Sequence, residues 1–247
     1  MAFVDLQTLI IVGVAFAMGG ILKGATGVGA PLIAVPVMTS FVDIRFAVAV
    51  FVVPNLVTNL IQSVIYRRAL SNRSFLLILC LSAGVGAFAG SLMLYRASDG
   101  VLEMVMAGLV LFYVGFRLYR PNWQLSMPVA RKLNIPMGLL AGFLQGALGI
   151  SAPVTLTFLN AVKFERIEFI IIVSVFFMTM ALTQLPTLLY LGLMQTEHLV
   201  LGFLAMIPLL GFMPFGAFIL RRATPDLFDK VILIVLVGVA VRLFWAI

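Results

Sequence analysis

Residues 20–31 read GILKGATGVGAP and place a cation, closely spaced glycines and a proline between two apolar stretches. Lys23 is the most informative side chain here. An ionisable residue inside a membrane segment is costly and by default marks a functional site. Its plainer reading is a lysine in a turn at the membrane face, since the apolar stretch at 6–22 would rise about 26 Å as a helix, nearly a full span. Gly24, Gly27 and Gly29 lower helix propensity, and Pro31 cannot continue a preceding helix without losing a hydrogen bond, so a break is predicted. Pro31 suits the first turn of a new helix. Free N–H groups near 27–32 can then cradle an anion with the helix dipole behind them, which makes Thr26, Gly27 and Gly29 candidate contacts.

The motif occurs twice. Residues 142–153 read GFLQGALGISAP, and at a fixed offset of 122 seven of twelve positions are identical. Shared apolar composition does not align Gly, Gly and Pro this way, so the chain reads as an internal duplication. At a slightly longer offset, LYRAS at 94–98 resembles LRRAT at 220–224. Pro153 opens the second new helix, and Gly149, Ser151 and Thr155 are its candidate contacts. Gln145 stands where the first copy has Lys23. Asn55, Asn59 and Gln62 share a helix face at i, i+4, i+7, and the 122-residue offset pairs Gln62 with Gln184. The predicted anion site therefore combines Lys23, Asn55, Asn59, Gln62, Gln145 and Gln184 with the backbone and hydroxyl groups of the two breaks. Two plainer readings compete. Gly20/Gly24, Gly142/Gly146 and Gly86/Gly90 are small-xxx-small pairs suited to helix packing alone, and the amides suit interhelical hydrogen bonds worth about 0.6 kcal/mol each.

The elements that must position these residues follow from composition. Of 247 residues, 63% are hydrophobic and 10% charged, with a mean hydropathy of +1.21. Soluble domains run about 45–50% apolar and 25% charged, so a soluble globular protein is excluded. The expected fold is an all-α polytopic membrane protein in which two inverted repeats each hold a Gly-rich broken helical hairpin and three transmembrane helices. Its apolar stretches are 6–22, 31–42, 46–66, 75–95 and 101–119, then 136–148, 152–162, 167–190, 199–220 and 227–247. The first repeat covers 1–120, a cytoplasmic linker with Pro121 and Asn122 covers 121–135, and the second repeat covers 136–247. A cleavable signal peptide is not expected, because Asp5 and no Lys or Arg precede the first apolar run.

Orientation follows from counting cations. If each Gly-rich unit is one span, the two sides carry eight and seven Lys or Arg, which is no bias. If each is a hairpin returning to its side of entry, the side of the 66–74 and 117–135 loops carries twelve and the other three, leaving Lys23 uncounted. The second arrangement obeys the positive-inside rule and gives the repeats opposite topologies, as in many secondary transporters. Both termini then lie outside. The net charge of +7 thus reads as orientation rather than nucleic-acid binding.

Other chemistries are not expected. One cysteine, Cys80, and one histidine, His198, leave no disulfide framework and no metal site. All nine acidic residues lie near segment ends, which disfavours a carboxylate proton relay or cation site. Gly149-Ile150-Ser151 lacks the last glycine of a nucleophile elbow, and Lys23 precedes its glycine in the wrong order for a phosphate-binding loop. No cofactor is expected.

The duplicated Gly-x-x-x-Gly-x-x-Gly-x-x-Ala-Pro turn, at 20–31 and 142–153, resembles the sulfite exporter TauE/SafE family of membrane permeases. That resemblance implies a multi-pass permease of the bacterial inner membrane that moves small sulfur-containing or organic anions, usually outward. Its partners would be the anion and the lipid bilayer, with a homodimer allowed but not required. Moving one charge through 100 mV is worth about 2.3 kcal/mol, so a dianion leaving a negative-inside cell gains roughly 4.6 without a coupling ion. An anion channel shares this charge pattern, and a membrane-embedded enzyme or assembly factor is the more distant alternative.

Overall fold

The computed structural model describes residues 5–120, 123–222 and 225–246. Pro121 and Asn122 of the expected linker, and Ala223 and Thr224 of the LRRAT match, lie outside the described residues. The described chain is helical throughout, with no strand. Among the described residues, six helices are long and apolar enough to cross a membrane, including Arg73–Arg96 and Arg166–Tyr190. Large apolar side chains such as Leu81, Val85, Phe112 and Ile207 face outward, which suits a bundle whose solvent is lipid. The chain is a polytopic α-helical membrane protein.

Helix α1 spans Leu6–Thr26 and α2 spans Ala30–Thr39. The break between them is set by two glycines. Gly27 takes φ 83° and its N–H donates to the Lys23 carbonyl at 2.7 Å, while Gly29 takes φ 90°. These left-handed values suit glycine, which has no Cβ to clash. Pro31 then falls in the first turn of α2, where its missing N–H costs nothing. All ten residues of α2 are buried.

The second break repeats the plan. Helix α6, Met127–Leu148, ends at Gly149 with φ 70°, whose N–H reaches the Gln145 carbonyl at 2.9 Å. Helix α7, Ala152–Ala161, starts with Pro153 in its first turn. The first segment is longer than the apolar stretch at 6–22 suggested, since the helix runs on through Lys23 to Thr26. More markedly, α6 begins at Met127, inside the segment read as linker. Pro128 starts it, and Arg131 and Lys132 are exposed on its first turns. Its polar outer face hid it from a reading based on continuous apolarity.

Three helices follow each break. The first set is α3 (Ile44–Tyr66), α4 (Arg73–Arg96) and α5 (Asp99–Tyr119); the second is α8 (Arg166–Tyr190), α9 (Thr196–Arg222) and α10 (Pro225–Ala246). A short 3-10 turn, Arg67–Ala69, joins α3 to α4. The principal contacts are exchanged in pairs: α1 packs on α9 as α6 packs on α4, while α3 packs on α8 and α5 on α10.

Small residues make the closest of these crossings. A Cβ on Gly20 would stand on the Leu209 carbonyl and one on Gly24 on that of Met213. Gly142 and Gly146 bear the same relation to Ala83 and Ala87, and Gly86 and Gly90 to Leu139 and Phe143. Such pairs let helix backbones approach where lipid supplies no hydrophobic drive. The packing interpretation therefore holds for Gly20, Gly24, Gly142 and Gly146, whereas Gly27, Gly29 and Gly149 shape the breaks. In both crossings the partner numbers rise together, so α1 runs with α9 and α4 with α6.

Candidate functional site

At the first break the polar side chains form one buried cluster. Lys23, 2% exposed, donates from Nζ to Asn59 Oδ1 at 3.0 Å. Asn59 Nδ2 in turn donates to the carbonyl and to Oδ1 of Asn55, at 2.8 and 2.7 Å. The i, i+4 spacing on α3 thus produces the amide ladder that presents an oxygen to Lys23. Asn55 Nδ2 is buried with no partner. Lys23, Asn55 and Asn59 therefore supply more donors than acceptors, and the one salt bridge among the described residues, Arg45–Asp99, lies elsewhere. A buried cation without an anion is expensive unless something of opposite charge joins it.

Gln62, one turn further on, ties the break to the rest of the bundle. Its Nε2 donates to the Gly27 carbonyl at 2.8 Å, and its Oε1 accepts from Ser174 Oγ of α8 at 3.3 Å. Thr26 Oγ1 donates to the Leu22 carbonyl at 2.9 Å and lies 3.3 Å from the Val28 N–H, which it caps.

The second break holds its polar groups differently. Gln145 Nε2 donates to the Gly149 carbonyl at 3.1 Å, and Ser151 Oγ donates to Gln145 Oε1, also at 3.1 Å. Gln184 Nε2 reaches the Gln145 carbonyl at 3.0 Å. Gln184 Oε1 and Thr155 Oγ1 are buried without partners. The two breaks face corresponding positions of the opposite half. A Cβ on Gly27 would meet Ile170 at 3.0 Å and one on Gly149 would meet Val48 at 2.9 Å, positions that differ by the same 122-residue offset.

A cavity of about 530 Å³ opens between the ends of α5, α7 and α8. Among the described side chains its cations are Arg117, Arg120, Lys163 and Arg166, and no carboxylate lines it. Asn160, Thr157 and Thr26 add neutral polar groups. A second cavity of about 220 Å³ shares Thr26, Arg117 and Asn160 and extends to Val28 and Gly29. Of the predicted site residues, Thr26 and Gly29 thus meet this space. Lys23, Asn55, Asn59 and Gln62 lie packed at the first break without lining it, and Gln145, Gly149, Ser151, Thr155 and Gln184 sit at or near the second break.

Sequence reasoning missed the cavity cations as site residues. They counted only as orientation signals, although the grouping of Lys163 and Arg166 beside a short apolar stretch was visible. A focused positive cavity attracts anions and raises their local concentration.

Lys23 and its asparagine partners are thus buried at the first break of a bundle of membrane-length helices that also holds a cavity lined by cations. The chain belongs to the sulfite exporter TauE/SafE family, whose model matches residues 11–243, nearly its whole length. That is a family of membrane permeases for sulfite and related anions, transporters rather than enzymes. No curated protein and no solved structure matches this chain.

Proposed function

We propose that this protein is a secondary permease that exports a small anion, such as sulfite or an organosulfonate, across the bacterial inner membrane by alternating access. The substrate gradient and the membrane potential drive it. The observation that carries this reading is Lys23: a buried amine whose neutral partner is Asn59, next to the unpartnered Nδ2 of Asn55. An anion arriving there supplies the missing acceptor and the missing charge together. Thr26, Gly27, Gly29 and Gln62 complete its first wall. Gln145, Gly149, Ser151, Thr155 and Gln184 form the wall contributed by the second break.

The proposed architecture is a pair of inverted repeats, 1–120 and a second that starts with α6 at Met127 rather than at 136, joined by a short cytoplasmic segment, with both termini outside. Three features support it: the exchanged helix pairings, the shared direction of α1 with α9 and of α4 with α6, and the twelve-to-three cation count. In this frame the cationic cavity faces the cytoplasm, where an exported anion is collected. The cavity stops short of Lys23. A site closed off from an open vestibule favours a carrier over a continuously open anion channel.

The test is uptake of labelled sulfite, with a panel of small sulfonates, into proteoliposomes at an imposed potential. Saturable, voltage-dependent flux is expected. Flux that follows a proton gradient at clamped voltage contradicts the uncoupled mechanism, and absence of flux for every anion by correctly inserted protein contradicts the permease itself.

A further inference from the structure

Positions matched by the 122-residue offset do not hold the same bonds. In the first repeat Gln62 Nε2 donates to the carbonyl of Gly27, the glycine of the break itself. In the second, Gln184 Nε2 donates to the carbonyl of Gln145, which matches Lys23 rather than Gly27. The same amide thus grips its break four residues, or about one helical turn, further back. The Gly149 carbonyl, the match of Gly27, is held meanwhile by Gln145 Nε2 at 3.1 Å.

The surroundings of the two breaks differ too. Leu156, Thr157, Asn160, Arg166 and Phe169 line the 530 Å³ cavity. Their matches in the first repeat are Ala34, Val35, Met38, Ile44 and Ala47, and all five are buried. Val35 and Val48 close on Gly149, where an added Cβ would meet them at 3.2 and 2.9 Å. The space beside the first break is open, and its counterpart beside the second is packed shut. Ser174 marks a further asymmetry. Its Oγ donates to Gln62 Oε1 at 3.3 Å, whereas its match is Val52, and Gln184 Oε1 is buried with no partner.

Inverted repeats can exchange arrangements, and a one-turn displacement of packed elements is a recurrent form of switching. Resting on the permease reading above, we propose that transport exchanges these two arrangements. Gln184 moves one turn onto the Gly149 carbonyl as Gln62 moves onto that of Lys23. The cytoplasmic cavity closes, and its counterpart opens outward around Val35 and Met38. Ser174 is the positioning residue that sets the balance. It gives Gln62 a second bond in the inward-open arrangement, and Val52 offers Gln184 none in the outward-open one.

Cys80 is the chain's one cysteine, so Cys80→Ala supplies a background for thiol labelling. In it, Val35→Cys reports outward opening to a membrane-impermeant maleimide added to spheroplasts. Thr157→Cys reports inward opening to the same reagent in inverted vesicles. Adding Ser174→Ala is expected to speed labelling at position 35 about fivefold, the size of one neutral hydrogen bond. Val52→Ser, which offers Gln184 the missing partner, is expected to do the same, and the pair together about twenty-fivefold. Labelling at position 157 does not rise in any of them. Unchanged labelling at position 35 in Ser174→Ala overturns the inference. A rise at both positions overturns it as well, since that is a loosened bundle rather than an exchange. Anion flux measured on the same variants separates the two claims. Flux without any change at position 35 leaves the permease and removes the exchange. The expected labelling without flux of any anion does the reverse.

Discussion

The two Gly-rich breaks share a backbone plan and differ in what they hold. Both end a helix at a left-handed glycine, Gly27 or Gly149, and both start a ten-residue helix, wholly buried in α2 and mostly buried in α7, with a proline in its first turn. At the first, Lys23 lies against an asparagine ladder with donors to spare, and Thr26 and Gly29 border a cationic space. At the second, Gln145 accepts from Ser151 Oγ and donates to the Gly149 carbonyl. The backbone plan occurs twice and the cation once. In the proposed function the first break binds charge and the second chiefly completes the enclosure.

The largest expected effect lies in what the breaks have in common. Gly24→Leu drives a side chain into the Met213 carbonyl and Gly146→Leu into that of Ala87. Overpacking at such a contact costs about 3 kcal/mol or more. Both variants should lose folded, monodisperse protein in detergent to a similar degree. If only one collapses, the two crossings are not equivalent.

The next effect separates the breaks. Lys23→Gln gives the first break the residue found at the second and should cut anion flux by about a hundredfold, the size of a lost charge-assisted contact of about 1.5–3 kcal/mol. Gln145→Leu, which removes neutral hydrogen bonds, should cost less than about tenfold, or about 1 kcal/mol. Parallel thermal melts distinguish these losses from unfolding.

Gln62 is a smaller lever. Gln62→Leu frees the Gly27 carbonyl and Ser174 Oγ together, and about 1–3 kcal/mol of stability should be lost with it. A melting temperature equal to that of the wild type would mean that the break does not depend on its tie to α8. The smallest expected effect is at the cavity. Lys163→Gln should raise the KM for transport a few-fold with little change in kcat, and raising the salt concentration should shrink the difference, since exposed charges are screened within about 8–10 Å.

Much of this arrangement was legible in the sequence because it is local. A left-handed glycine followed by proline leaves a pattern within a few residues, and the 122-residue offset displays it twice. The i, i+4, i+7 spacing placed Asn55, Asn59 and Gln62 on one face, and α3 does present them to the first break. The cavity was not legible, because its cations come from the end of α5 and the α7–α8 junction and meet only through packing. Each reads alone as a loop charge. The start of α6 was hidden for a related reason: Arg131 and Lys132 lie on an exposed face, so the helix continues where apolarity stops.

In the proposed mechanism the transported anion is held against Lys23 at the first break. Labelled sulfite flux at fixed membrane potential, measured side by side for the wild type, Lys23→Gln and Gln145→Leu with matched amounts of inserted protein, tests it most directly. Near-complete loss is expected in Lys23→Gln and substantial flux in Gln145→Leu. Equal flux in the wild type and Lys23→Gln would contradict it and return Lys23 to a packing role.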